Sequence, residues 1–399
     1  MSDLTCDVLV VGAGPAGSAA AAALARAGCD VLLVESHAHP RPKACAEYAS
    51  PRIAEELARL GLAEGAWQAD ALPVRGMRVI RGDDAVEMTY RDAGGRRPAW
   101  GLDRERFDTT LAAHAAESGA RLMERTALDD VHWRGGQDAS GGRVTGASLR
   151  TANGRLTVRC RWLLGADGAR SRVAQRLNVE GGAGRPRRLG LVAHYAGVPE
   201  LADHGEMHVA RDYYVGLAPL AGNRLNVGMA LPLDGDRRPA EERFNAAIEG
   251  IPAVAERLEG VARLTPIRGA SPIGHRVRSP AGRGWMLIGD AAGFIDPFTG
   301  EGIYRALRSA RAAAESLASG LDDAAAARYR AARRQAFAAK DALTWTIQGM
   351  LAAQPVMGFA LRRLAARPAL AERLGSALGD LRPASDAISP LFLAQVLWP

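Results

Sequence analysis

Asp7-Val8-Leu9-Val10-Val11, Gly12-Ala13-Gly14-Pro15-Ala16-Gly17, an alanine-rich run to Gly28, and Val31-Leu32-Leu33-Val34-Glu35 follow one another at the start of the chain. An apolar run of strand length enters a glycine turn, good helix formers follow, and a second β-branched run ends in a carboxylate. That order predicts a βαβ unit that grips a dinucleotide. Gly12 permits the tight turn, Gly14 lets backbone approach a pyrophosphate, and Gly17 lets the helix lie close on the strand. Pro15 and Ala16 complete the loop. The pyrophosphate is expected on the unpaired N–H groups of the helix N-terminus, where the dipole adds ~0.3–1 kcal/mol. Glu35 can accept both hydroxyls of an adenosine ribose and would repel a 2′-phosphate, so the site suits FAD or NAD rather than NADP.

The 399 residues allow two or more domains, and 48% hydrophobic with 24% charged residues is ordinary globular composition. The net charge of +7 comes mainly from arginine. With no dense basic run and no cluster of stacking aromatics, it reads as a solvated surface and not as a nucleic-acid face. Cys6, Cys29, Cys45 and Cys160 form neither a CxxC pair nor a disulfide framework, and eight scattered histidines suggest no metal site, which fits a reducing cytoplasm. Asp3 and Asp7 stand where a signal peptide would be basic, and no apolar run reaches the ~18 residues of a bilayer span.

Further along, a His- and Pro-rich loop from Ser36 to Pro42 leads to Lys43-Ala44-Cys45-Ala46-Glu47-Tyr48, then to an amphipathic helix from about Pro51 to Leu60. Met77 to Tyr90 reads as a hairpin, and Asp103 to Asp108 opens a helix with Phe107, Leu111 and Ala115 on one face. Strand-like pieces at Val131–Trp133, Gly146–Thr151 and Leu156–Cys160 lead into Trp162-Leu163-Leu164-Gly165-Ala166-Asp167-Gly168. A loop from Gly181 to Arg188 marks a boundary, after which Leu189 to Leu231 reads as one antiparallel sheet. Trp285 to Asp290 returns to buried parallel-strand character, and the chain is helical from Gly300 onward.

Three motifs now stand in order: the Gly12 loop with Glu35, the Gly165-Ala166-Asp167-Gly168 turn, and Gly289-Asp290-Ala291-Ala292-Gly293-Phe294-Ile295-Asp296-Pro297-Phe298-Thr299-Gly300-Glu301-Gly302. Together they resemble the p-hydroxybenzoate hydroxylase class of FAD proteins and, within it, the geranylgeranyl reductase family. The resemblance implies FAD, fed by an external donor, NAD(P)H or a reduced protein carrier. Gly289-Asp290 would meet the ribityl chain, and Pro297, Gly300, Gly302 and Ile303 the flavin ring. Arg104 matches an arginine that reaches the FAD phosphates, its alternative being a solvent arginine in a first helical turn. Asp167 either faces the cofactor cleft or starts a helix. Ser36, Lys43 and Ala44 complete the expected FAD contacts. Cys45 matches the family's cysteine near the flavin, its alternative being a small buried hydrophobe.

Tyr214-Val215-Gly216-Leu217-Ala218-Pro219 aligns with the family's YxWxFP substrate-cavity motif, with Gly216 for tryptophan and Ala218 for phenylalanine. Strand alternation puts Tyr214, Gly216 and Ala218 on one side, so the expectation is a widened cavity for a bulkier hydrophobic substrate. Cys45 and Tyr214 are the candidate proton donors for reduction of a carbon–carbon double bond in an isoprenoid or polyketide-type lipid. The rivals are an aromatic monooxygenase using O2 and a flavin-bearing binding protein without turnover.

The expected architecture is α/β: a discontinuous Rossmann-like FAD domain (1–75, 101–180 and 270–320), an inserted antiparallel substrate sheet (76–100 and 181–269), and a helical C-terminal region (321–399). In the last, Arg328, Arg330, Arg333, Arg334, Lys340, Arg362, Arg363 and Arg367 interleave with Ile347, Met350, Leu351, Val356, Phe359 and Leu364. One reading is a basic amphipathic surface resting on the inner membrane face; the other is a helical cap on the FAD domain.

Overall fold

The computed structural model describes residues 3–397 apart from 137, 140, 184, 185, 199–202 and 234. In the first sheet, strand Asp3–Val11 lies between Val31–Val34 and Gly154–Gly165, all parallel, with Arg121–Met123 beyond Val31–Val34. Trp285–Leu287 runs parallel beside the C-terminal end of Gly154–Gly165. Arg143–Thr151 and Ala127–Arg134 extend its N-terminal half as antiparallel neighbours. Side chains of the central strand alternate between two cores. Val8 and Val10 meet the alanines of helix Pro15–Arg26, whereas Leu9 and Val11 meet Leu163, Val173 and Leu287. A strand buried on both faces reads as an unbroken apolar run, as the sequence has it.

Helix Pro15–Arg26 packs against helix Gly302–Ala318 through alanines on both, among them Ala16, Ala20, Ala306 and Ala310, so the two backbones come close. The helix expected from Pro51 to Leu60 spans Ile53–Arg59, and Arg104–Glu117 starts behind Asp103, whose carboxylate accepts from the N–H groups of Glu105 and Arg106.

The second sheet has the order 262–263, 188–196, 224–232, 214–220, 204–209, 76–81, 84–89, with 268–270 also pairing 188–196. The hairpin read around Gly82 is thus the far edge of this sheet, joined in parallel to His204–Val209. Two local expectations change. The stretch read as a loop from Gly181 begins inside strand Glu180–Ala183, which pairs with His275–Val277, and the strand read to Asp290 stops at Leu287, where Gly289–Ala292 turns into a 3₁₀ helix.

Helix Ala325–Ala352 and its successors Gln354–Ala365 and Pro368–Leu378 cover a face of the second sheet, not the FAD domain alone. Leu343, Ile347, Leu351, Met357 and Leu361 join one apolar cluster with Val79, Met88, Met207 and Tyr214. Tyr329 reaches the other way and donates to the Leu287 carbonyl of the first sheet at 2.7 Å. No helix among the described residues is long and apolar enough to cross a membrane.

A candidate cavity for a dinucleotide and an apolar substrate

The two sheets enclose a cavity of about 590 Å³ whose walls come from both. Its first wall is the Gly12 loop. Gly12 has φ +102°, and a Cβ there would lie 2.6 Å from the Ala166 carbonyl. A Cβ on Gly17 would lie 1.8 Å from the Gly12 carbonyl, so the helix can seat on the turn only with glycine at that position. At Gly14 the space is open except for the Arg41 guanidinium at 3.5 Å, which leaves backbone N–H groups accessible to a phosphate. Pro15 and Ala16 line the same wall; Gly17 does not, because its task is inside the packing.

Glu35 ends its strand buried, yet faces the cavity. Its carboxylate accepts from the Ala13 N–H at 3.0 Å, from Ser36 Oγ at 2.9 Å and from the His37 N–H at 3.1 Å, with Arg41 Nε 3.2 Å away. Burial pushes this carboxyl up, but Arg41 and those donors outweigh it and hold it below the ordinary carboxylate range.

Arg104 is buried and lines the cavity, but its guanidinium is a bidentate partner of Asp108, at 2.8 and 2.9 Å. The same Asp108 lies 3.5 Å from Arg41. Arg41 thus bridges Asp108 and Glu35 beside Gly14, and with Arg104 it brings two guanidiniums to the edge of the glycine turn, their charge balanced by those two carboxylates. Arg41 Nε faces the Glu35 carboxylate as an ion pair at 3.2 Å, which ties the Pro-rich loop to the end of strand Val31–Val34. Sequence reasoning passed over Arg41, a single cation in a Pro-rich loop. Lys43 and Ala44 line the next stretch of wall, with Lys43 Nζ close to the Gly168 turn.

Asp167 lines the cavity, and its carboxylate accepts from Ser171 Oγ at 2.6 Å and from the Val173 N–H at 3.1 Å. The N-cap of helix Arg172–Arg176 is Ser171, whose Oγ accepts from the Ala174 N–H at 2.9 Å, so Asp167 braces that cap from the cavity side rather than starting the helix. Burial pushes the Asp167 carboxyl up. Gly289 takes φ +58°, its N–H donates to Ser309 Oγ at 2.8 Å, and Asp290 follows on the cavity wall. Pro297 and Gly300 flank a second 3₁₀ turn, and Gly302 and Ile303 begin the helix whose N-terminus opens into the cavity. Orphan N–H groups there suit the negative charge of a reduced flavin ring.

The opposite wall is apolar. Val192, Gly228, Gly216 and Met207 stand in register across four neighbouring strands, and all four line the cavity. The two glycines leave a trough, and Met207 Cε lies 3.4 Å from where a Gly216 Cβ would stand. Met207 thus fills part of the room that the missing tryptophan would leave. Ala218 corrects the sequence reading: it lies outside the cavity, packed with Tyr48, Val74, Tyr90 and Ala99, because the small sheet 48–49, 99–102, 71–74 covers that end of its strand.

Of the two candidate proton donors, Cys45 lines the cavity, half-buried. The Tyr214 ring lines the cavity too, but its hydroxyl donates to Asp296 Oδ1 at 2.6 Å, and Asp296 is paired to Arg188 at 3.3 Å. Burial first, then the Asp296 carboxylate, push the tyrosine well above its ordinary range. Asp296 and Arg188 carried no assigned role in the sequence. No cluster of metal-ligating side chains occurs among the described residues.

A glycine cradle with a buried carboxylate on one wall, and a helix N-terminus facing an apolar sheet on the other, are the setting of a flavin-dependent oxidoreductase of two-sheet architecture. The chain belongs to the FAD binding domain family, whose model matches residues 5–344, and within it to the geranylgeranyl reductase group. It is similar to a menaquinone reductase of Mycobacterium tuberculosis, 36% identical over 327 residues, covering 79% of this chain and 77% of that one. It is also similar to digeranylgeranylglycerophospholipid reductase 1 of Methanopyrus kandleri, 31% identical, with 77% and 79% covered. Among solved structures, a geranylgeranyl bacteriochlorophyll reductase-like protein from Thermoplasma acidophilum superposes with TM-score 0.79 at 23% identity over 99% of both chains. A flavin-dependent brominase superposes with TM-score 0.80 at 22% identity, with 97% and 98% covered, and so shares the fold.

Proposed function

We propose that this enzyme reduces a carbon–carbon double bond in the isoprenoid chain of a lipid or quinone. The observation that carries the reading is the trough Val192–Gly228–Gly216–Met207, an apolar floor facing the loop that ends at Gly302. When bound, the flavin supplies hydride at its N5. The chain's own residues do the rest. The glycine cradle with Arg41 and Glu35 anchors the adenosine diphosphate end, and the trough holds the substrate chain and excludes water. The Cys45 thiol gives a proton to the carbon that does not take the hydride. Cys45 suits this better than Tyr214, whose hydroxyl is committed to Asp296. Electrons enter from an external donor, NAD(P)H or a reduced protein carrier. The names of the similar menaquinone and digeranylgeranylglycerophospholipid reductases support an isoprenoid substrate.

Delivery of such a substrate fits a peripheral membrane contact. Val356 and Phe359 are exposed on helix Gln354–Ala365, Leu391 and Leu393 on the adjoining helix Pro390–Leu397, and Arg362 stands one turn from Phe359. Other C-terminal cations face inward: Arg330 donates to the Ala281 carbonyl, Arg333 to that of Ala292, and Lys340 is buried against Glu301 and Asp380. The exposed apolar side chains Val356, Phe359, Leu391 and Leu393 are the part of the helical region proposed to meet a lipid surface.

The test is anaerobic. Enzyme reduced without excess donor is mixed with a geranylgeranyl lipid that carries no quinone ring, in the absence of O2. Reoxidation of the flavin on mixing is the expected result; reoxidation only after O2 is admitted would replace this reading with the monooxygenase.

A further inference from the structure

Glu47 lies two residues beyond Cys45, almost fully buried, with φ +57°. A non-glycine residue in that region costs of order 1–3 kcal/mol and persists only where its surroundings hold it. What holds it is a set of contacts from three separate segments. Glu47 Oε1 accepts from the Arg104 N–H at 3.0 Å, at the start of helix Arg104–Glu117. Glu47 Oε2 lies 2.6 Å from His194 Nε2 on one strand of the second sheet and accepts from Asn226 Nδ2 at 3.0 Å on the next. The carboxylate can only accept, so His194 carries its proton on Nε2; its Nδ1 lies 3.3 Å from Thr265 Oγ1. Asn226 Nδ2 also donates to the Cys45 carbonyl at 2.9 Å, and the Glu47 N–H points at Cys45 Sγ, 3.4 Å away. The Leu102 N–H closes the arrangement on the Glu47 carbonyl at 2.8 Å.

We infer that Glu47 is a positioning residue for Cys45: its carboxylate straps the turn 45–47 to helix Arg104–Glu117 and to the substrate sheet, and its N–H orients the thiol in the cavity. The chemistry follows from the geometry. A thiol on a free turn would sample many positions, whereas proton transfer needs the donor within hydrogen-bond reach of one carbon. The left-handed turn at Glu47 lets a single residue send its N–H back to Cys45 and its carboxylate out to His194 and Asn226. This inference deepens the role proposed for Cys45 and rests on it for its catalytic meaning, but not for its geometry.

The test reads the thiol itself. In a Cys29→Ser background, where Cys6 and Cys160 stay buried, iodoacetamide alkylation of Cys45 is followed by mass spectrometry at fixed pH, with FAD bound and without. Glu47→Gly keeps a residue that adopts positive φ freely and removes the whole side chain with its carboxylate; it should raise the alkylation rate at least about tenfold. Glu47→Gln retains one acceptor oxygen and should recover most of the protection, while His194→Gln and Asn226→Ser, each cutting one arm, should fall between. A parent-like rate in Glu47→Gly, with thermal melting and FAD affinity also parent-like, would overturn the inference. So would equal rates in Glu47→Gly and Glu47→Gln. The alkylation readout uses no substrate. If Glu47→Gly behaves as expected while Cys45→Ser turns over normally, the strap stands and the proton-donor role falls.

Discussion

The two walls of the cavity are built by different means. The dinucleotide wall is local: Gly12 to Gly17 and Glu35 sit within one βαβ unit, and the demands on them are backbone demands, a positive φ at Gly12 and a carbonyl 1.8 Å from any Cβ on Gly17. The substrate wall is assembled by cross-strand register, Val192 beside Gly228 beside Gly216 beside Met207, from four strands that meet only when the sheet forms. A wall of the first kind tolerates almost no change, because backbone cannot move aside. A wall of the second kind can exchange volume between neighbours, as Met207 does at Gly216.

That contrast can be broken experimentally. The largest effect belongs to neither wall but to the group between them: Cys45→Ala should lower turnover ~10²–10⁴-fold while FAD content stays constant, measured by steady-state assay beside the flavin spectrum. Gly17→Val should cost ~3 kcal/mol, at the top of the overpacking range, and leave the protein without FAD, as melting and flavin content would report. Glu35→Ala removes charge-assisted hydrogen bonds worth ~1.5–3 kcal/mol and should weaken FAD ten- to a hundredfold in a fluorescence titration. On the substrate wall two bulky replacements on one strand should part company. Gly216→Trp should displace the flexible Met207 side chain and lower turnover with little change in melting, whereas Ala218→Phe should cost ~1–3 kcal/mol of stability, because Tyr48, Val74 and Tyr90 surround it.

The smallest effect lies on the far face of the same sheet. Burial raises the Glu206 carboxyl, but His208 and Arg257 overcome it and bring it from the ordinary 4.5 down to about 2. Between those values the unfolded chain binds the extra proton, so this group's stabilisation is full above pH 4.5 and is lost as pH falls towards 2. Glu206→Gln should flatten that part of the acid limb in denaturation curves and leave turnover near neutral pH unaltered.

What could be read from sequence follows the same division. The βαβ unit, the helix that opens at Asp103 and the hairpin at Gly82 are each encoded by neighbours in the chain, and each stands where the sequence put it. Alternation in Tyr214–Leu220 was legible as well, but not that a three-stranded sheet covers Ala218, since that depends on Tyr48, Val74 and Ala99 arriving from elsewhere. Arg41 escaped notice because its meaning comes from Asp108, in a later helix. Glu47 belongs to a motif that the sequence displayed, yet its partners Arg104, His194 and Asn226 converge only in three dimensions.

The central claim is that an apolar chain lies in the glycine trough and receives hydride there. Mass spectrometry of the product tests it most directly: enzyme, FAD, an electron donor and a polyprenyl quinone are incubated in air, and the product is compared with substrate. A gain of two hydrogen atoms in the side chain, abolished by Gly216→Trp, is the predicted result. A gain of one oxygen atom, or a two-hydrogen product that Gly216→Trp leaves untouched, would contradict the account.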